Sequence, residues 1–371
     1  MNLSRILALA GLLAACAPTT GGGSARLKAG PTPVETSPRS DAVDALSDLD
    51  VADGPLARSR FMPGEWEPVD RLLVSWNQDN KDLTPFFAGF LREAVRQTEV
   101  TLLTAANVSR RALARDLRRQ GVDVSHLEYE VAPINTMWIR DYGPLVLRTD
   151  EGRRVVVDLP YSLDRPEDDR VPELLAGRWR WPLSAIPLDL EGGHLQSDGA
   201  GRCVITDDVL ARNSDTYHFE QVAALLGADL GCSEVVVVPS LVDEPTGHLD
   251  MFAYITGPSR ILVGSYEHAV DDQNSMILNE AALMLQNAGF HVTRIPMPDN
   301  RGRTLFRTYT NGLALNGVVF VPVYKADRKH EQEALDVYAR AFPNRKLVPV
   351  PSDDIMALSG AVHCTTLTIA R

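Results

Sequence analysis

One apolar pattern recurs five times along this 371-residue chain, and it constrains the fold more than any other feature. Each pass reads as strand, amphipathic helix, strand, then a loop into a further strand. The first pass has strand 71–76, helix 83–97 and strand 100–104, with helix 108–119 inserted after it; Leu113 and Leu117 share a face of that insertion. The second has strand 155–159, a weak helix near Glu173 and strand 186–190. The third has strand 203–206, a helix around 217–226 and strand 235–239. The fourth has strand 261–264, helix 272–287 and strand 291–296; the fifth has 318–323, 331–342 and 347–350.

Tight turns link the passes. Thr149-Asp150-Glu151-Gly152, Asp198-Gly199-Ala200-Gly201, Gly257-Pro258-Ser259 and Asn316-Gly317 each separate two strand-like runs. Asn-Gly between such runs is the strongest short hairpin signal. The strands entering these turns are 145–148, 194–196, 252–255 and 313–315, and a fifth of the same kind is 362–370. Its natural hairpin partner is strand 71–76. A repeat whose last strand pairs with its first element closes into a ring, so that no sheet edge is left open. The pattern therefore predicts a closed, pseudo-symmetric α/β propeller of five modules in one domain, residues 61–371. A doubly wound parallel sheet is the alternative, but no Gly-rich phosphate loop stands at any strand-to-helix turn to favour it.

What precedes the repeat is different in kind. A basic start before residue 6 leads into an apolar run, 6–15, too short to span a bilayer. It ends Leu13-Ala14-Ala15-Cys16, which looks like a bacterial lipoprotein signal: a leader of residues 1–15, then lipidation at Cys16. Residues 16–60, with Gly21-Gly22-Gly23 and Pro31, Pro33 and Pro38, read as a flexible tether. The expected location is outside the cytoplasm, on the periplasmic or cell-surface side of a membrane held only through the lipid. A formal net charge of -12 argues against nucleic acid as a partner.

The polar residues concentrate at one point of the repeat, just before or within the strand that follows the inter-module loop. There stand Trp138-Ile139-Arg140-Asp141-Tyr142-Gly143-Pro144, Glu191-Gly192-Gly193-His194, Gly247-His248-Leu249-Asp250, Tyr309-Thr310-Asn311-Gly312 and Ala361-Val362-His363-Cys364. In a propeller, equivalent positions meet at the axis, which would gather Asp141, Glu191, His194, His248, Asp250, Asn311 and Cys364. A thiol beside a histidine is a nucleophile with a general acid/base. Several carboxylates in one pocket repel unless a cation sits among them, and a planar guanidinium suits two carboxylates. Each residue also has a plainer reading: a buried structural thiol at Cys364, a polar pair at His248 and Asp250 on one strand face, a local Arg140–Asp141 ion pair. No two of these residues show zinc-type spacing, so no metal is expected.

With these motifs the chain resembles the agmatine deiminase and bacterial peptidylarginine deiminase family, within the guanidine-modifying (pentein) enzymes. The match runs from Glu65-Trp66-Glu67-Pro68 to Cys364. The resemblance implies a calcium-independent, cofactor-free hydrolase in which Cys364 is the nucleophile, His248 the general acid/base, and Asp141 and Asp250 the guanidinium ligands. It matches Asn311 and Glu191 to pocket residues and sets Trp138 along the aliphatic arm of the substrate. The implied reaction converts peptidyl or free arginine to citrulline, or agmatine to N-carbamoylputrescine, releasing ammonia. The segment 161–169 is closer to the peptidylarginine enzymes, where two arginines bind the substrate's carboxylate; here Arg165 keeps one, and Leu163 stands in place of the other. The rival readings are a cationic-amine-binding lipoprotein without catalysis, an amidinotransferase and a papain-like protease. The last places its cysteine early, on a helix. Of the three remaining thiols, Cys203 and Cys232 fall in neighbouring strands that an oxidising compartment would let bridge.

Overall fold

The structure, a computed structural model, describes residues 60–161, 164–325 and 327–371. The leader, Cys16, the tether up to residue 59 and Leu163 lie outside the described residues. No described helix is long and apolar enough to cross a membrane. Arg60, assigned to the tether by composition, already pairs with Thr149 in a short strand, β1 (Arg60–Phe61).

A connector, residues 62–68, leads into β2 (Val69–Trp76), α1 (Thr84–Ala94), β3 (Glu99–Thr104), α2 (Arg110–Arg119) and β4 (Leu127–Val131). Pro85 sits in the first turn of α1, where its missing N–H costs nothing, and Phe86, Phe87, Phe90 and Leu91 bury its inner face. The chain continues through α3 (Ile139–Tyr142), β5 (Leu145–Thr149), β6 (Arg154–Asp158), α4 (Val171–Trp179) and β7 (Leu183–Ala185). Next come β8 (Leu195–Ser197), β9 (Arg202–Thr206), α5 (Asp207–Asn213), α6 (Phe219–Leu230) and β10 (Glu234–Val238). Then follow β11 (Ala253–Gly257), β12 (Arg260–Ser265), α7 (Asp272–Asn287) and β13 (His291–Pro296). The last group is β14 (Leu313–Leu315), β15 (Val318–Val323), α8 (Arg328–Ala341), β16 (Lys346–Pro351), α9 (Asp353–Met356) and β17 (Thr366–Ala370).

These strands form five sheets, ordered β17-β2-β3-β4, β1-β5-β6-β7, β10-β9-β8, β11-β12-β13 and β14-β15-β16. Four repeat one unit: a tight antiparallel hairpin, then a helical crossover to a parallel strand. That order follows from geometry, since antiparallel neighbours need only a short turn and parallel ones need a crossover. In the fifth sheet the antiparallel partner of β2 is β17, as the pattern requires, with Leu367 opposite Leu73. A doubly wound single sheet is thereby excluded. Apolar clusters join the sheets. Leu73 and Leu367 pack with Tyr142 and Val171; Leu147 and Val157 with Ile205 and Val222; Leu72 and Val74 with Phe320; and a fourth cluster, with Val204, Leu262 and Val319, joins three sheets.

The expectations need correction at four places. The run 186–190, with Ile186, Leu188 and Leu190 buried and Pro187 and Asp189 exposed, is not a strand; β7 ends at Ala185, because Pro187 has no N–H for a parallel ladder. The C-terminal strand begins at Thr366 rather than 362. Before it, the hydroxyls of Thr365 and Thr366 donate to the carbonyls of Ala361 and Val362 and hold a turn. The first module carries an unforeseen strand, β4, reached through α2. Finally, edges are not abolished: the five sheets are separate, and strands such as β4, β10, β13 and β16 remain outer edges. Pro349 and Pro351 blunt one of these. Cys203 in β9 and Cys232, just before β10, are joined by a disulfide.

Candidate active site

The short segments that precede β5, β8, β11, β14 and β17 converge, and each ends a loop in a tight turn or 3-10 helix rather than in the strand itself. That position lets a buried polar side chain point along the strand axis instead of into a sheet face. Asp141 lies in α3, Glu191 and His194 flank a 3-10 turn, and His248 caps the turn that holds Asp250. Cys364 occupies the turn before β17 and is buried.

Asn311 organises the thiol. Its Nδ2 donates to Cys364 Sγ at 3.0 Å, and its Oδ1 accepts from the backbone N–H of Ala361 and Cys364 at 3.0 and 3.3 Å. Asp250 Oδ2 stands 3.5 Å from the same sulfur. Nearby, His248 Nε2 donates to Glu191 Oε2 at 2.8 Å, and its Nδ1 faces Asp141 Oδ1 at 3.7 Å. Asp141 Oδ1 and Asp250 Oδ1 are both buried without a hydrogen-bond partner. Bare carboxylate oxygens are costly to bury, and two of them beside a thiol make a receptor for a cation that brings its own donors. The plainer readings fall: Arg140 pairs with Glu65 rather than Asp141, and His248 and Asp250 lie on a turn and bond to different partners.

His194 packs edge-on against His248, ring centroids 4.4 Å apart. Its Nδ1 accepts from the Glu191 N–H and its Nε2 meets Asp208 at 3.1 Å, so it is held as one neutral tautomer. Glu191, His194 and His248 cluster closely enough to suggest metal ligation. Hydrogen bonds already engage both nitrogens of His194 and Nε2 of His248, so a metal would have to displace them. Gly193 is required by this packing, because a Cβ there would fall 2.2 Å from His248 Nδ1. Trp138 reaches the thiol's turn as well: a Cβ on Gly360 would sit 2.5 Å from the Trp138 ring and 3.0 Å from Cys364 Cβ. Arg165 stands at the rim, half-buried, donating at 2.7 Å to the hydroxyl of Tyr161. Tyr161 in turn feels the charges of Asp141 and Glu191.

The electrostatics follow from burial and crowding. Burial, with Glu191 and Asp250 adding to it, lifts Asp141 to about 7 despite the opposing pull of His248. Burial alone would lower His248, but the charge of Asp141 and the hydrogen bond to Glu191 win and hold it near 10. Glu191 settles near 2 because His248 outweighs its burial. Burial, then Asp250 and Asp141, push the Cys364 thiol well up, with Asn311 opposing. A guanidinium between the two aspartates would reverse both of those charge effects.

The residues that sequence reasoning missed are mostly behind this cluster. His363 joins Asp250 to Glu65, and Arg140 braces Glu65; Asp208 and Arg212 hold His194 and Glu191. Adjacency to Cys364 was the only available sign for His363. Nothing in the repeat marks Glu65, which lies outside it.

Residues 61–369 match the family of Porphyromonas-type peptidyl-arginine deiminases. The agmatine deiminase of Pseudomonas syringae pv. tomato is 24% identical over 360 residues, covering 84% of this chain and 96% of that protein. Among solved structures, a cysteine-to-serine variant of C. jejuni agmatine deiminase with substrate bound superposes with a TM-score of 0.75 at 20% identity, covering 86% and 98% of the two chains. Agmatine deiminase of Enterococcus faecalis gives 0.72 at 20% identity, covering 86% and 100%.

Proposed function

The chain belongs to the Porphyromonas-type peptidyl-arginine deiminase family, and from that premise we propose that it hydrolyses a guanidinium group to a ureido group, releasing ammonia. The observation that carries the reading is the pair of unpartnered, buried carboxylate oxygens of Asp141 and Asp250 beside the Cys364 thiol. A guanidinium seated between them presents its carbon to the sulfur and offsets the charge that keeps the thiol protonated. The Cys364 thiol gives up its proton to solvent as the substrate seats, and the thiolate adds to that carbon; protonated His248 supplies the proton with which ammonia leaves. Neutral His248 then takes a proton from water, which adds to the thiouronium carbon, and the C–S bond breaks to return the thiolate and the ureido product. Asn311 Nδ2 steadies the sulfur, and Glu191 and His194 hold the His248 ring. Trp138 lies along the substrate's aliphatic arm. A pure binding protein would leave Cys364 and His248 without a role.

Arg165 on Tyr161 favours a substrate that carries a carboxylate, free arginine or a C-terminal peptidyl arginine, over agmatine. The deciding assay measures ureido product from agmatine, arginine and peptides with internal or C-terminal arginine, for wild type beside Cys364→Ala. Turnover lost in Cys364→Ala is expected; binding retained without turnover in either protein would leave a binding lipoprotein. Arg165→Ala should raise KM for arginine and not for agmatine.

The same reading takes the five sheets as modules of a closed propeller, supported by the β17–β2 pairing and by apolar clusters linking each sheet to its neighbours. It also takes Cys16 as the lipid attachment point of an exported, membrane-anchored protein. Fatty-acid labelling of wild type and Cys16→Ala tests that part.

A further inference from the structure

Behind the thiol lies a buried relay that the deimination steps do not use. His363 Nδ1 meets Asp250 Oδ2 at 2.7 Å and His363 Nε2 meets Glu65 Oε2 at 2.6 Å. A carboxylate only accepts, so a ring bonded to one at each nitrogen donates twice, which is the imidazolium form. Asp250 Oδ2 is also the oxygen nearest Cys364 Sγ, and its other oxygen is the unpartnered one. The far carboxylate is itself anchored, since Arg140 pairs with Glu65 and Arg140 Nε donates to the His363 carbonyl at 3.4 Å. The other groups facing the ring are Tyr254, edge-on at 5.9 Å between centroids, and Cys364 next in the chain.

Glu65 comes from the connector before β2, outside the repeated units. That connector is tied to several sheets at once. Ser197 Oγ donates to the Met62 carbonyl at 2.8 Å, Trp66 Nε1 donates to the Asp198 carbonyl at 3.3 Å, Arg148 pairs with Glu67, and Arg345 donates to the Trp66 carbonyl.

We propose that Glu65 and His363 are positioning residues for the reaction. Glu65 keeps His363 cationic, and His363 clamps one oxygen of Asp250, turning the other toward the guanidinium while offsetting the aspartate's charge beside Cys364. The guanidinium part of this rests on the function proposed above; the effect on the thiol does not. Both carboxylates stay ionised against their burial, as the clamp requires.

The test reads the thiol directly. The rate of Cys364 alkylation by iodoacetamide is followed against pH in wild type, Glu65→Gln and His363→Gln. Glu65→Gln keeps size and hydrogen-bonding reach but removes the charge that holds the imidazolium. The midpoint of alkylation should therefore rise by about one pH unit, or about tenfold slower alkylation at a fixed pH below it. His363→Gln should shift it in the same direction, and kcat/KM for the preferred guanidine should fall with both. A role in packing alone would leave the Glu65→Gln profile on that of wild type, and that result overturns the proposal. The ring ¹⁵N shifts of His363 in wild type provide a check that needs no variant: both nitrogens protonated at pH 7.5 supports the clamp, a neutral ring refutes it. A shifted alkylation profile in a protein that turns over no guanidine would sink the proposed function and leave the clamp standing.

Discussion

At the scale of single residues, the site is governed by where protons and Cβ atoms are permitted. In the proposed reaction Asp141, lifted to about 7, would grip a cation only when ionised, whereas His248, held near 10, would serve as proton donor only below that value. The profile of kcat/KM, which reports the free enzyme, should fall on the acid side through about pH 7 and on the alkaline side towards about pH 10. Asp141→Asn should abolish the acid limb along with most of the activity; an acid limb that persists in the residual rate would assign it to another group. His248→Gln should cost about 10²–10⁴ in kcat. Gly193→Ala adds one methyl, but that methyl meets the His248 ring at 2.2 Å. It should disable turnover while leaving the melting temperature within a few degrees, measurable by calorimetry beside the activity assay. Residue identity was legible for the groups on matching positions of the repeat, Asp141 and Cys364 above all. It was not for Asp208 or Arg212, whose placement in α5, after β9, gives them no pattern of their own.

At the scale of elements, apolar runs bounded by polar or turn residues marked the strands and helices well: α7, β13 and β15 have the bounds expected from the sequence. The failures have local causes. Pro187 stops a buried run from becoming a strand, and threonine hydroxyls convert the start of an apparent strand at 362 into the turn that presents Cys364. Neither shows in an average over hydrophobicity. The disulfide between Cys203 and Cys232 encloses a separation of 29 residues, spanning α5 and α6. Loop closure of that length is worth about 3–4 kcal/mol. The double variant Cys203→Ala, Cys232→Ala should lose about that much in urea denaturation, with Cys364 alkylation unchanged below the transition.

At the scale of the molecule, five sheets depend on clasps between them, and one is a single side chain. Asn316 adopts φ 48° in its hairpin. It also accepts from the Val69 N–H and donates to the Val69 and Gln97 carbonyls, tying β14–β15 to the start of β2. Asn316→Ala loses all three bonds and strains the turn, so a destabilisation of about 2–4 kcal/mol is expected in urea titration. The hairpin was evident from Asn-Gly; the clasp was not, because its partners Val69 and Gln97 lie 247 and 219 residues away. The same distance in sequence explains why the connector's part in the site went unread. His363 and Glu65 meet across 298 residues, and the strand beginning at Thr366 pairs with the one that begins at Val69. During synthesis, then, Cys364 follows every side chain that surrounds it here, Glu65, Asp250, Asn311 and His363. A chain arrested before residue 364 carries the supports without the thiol they surround.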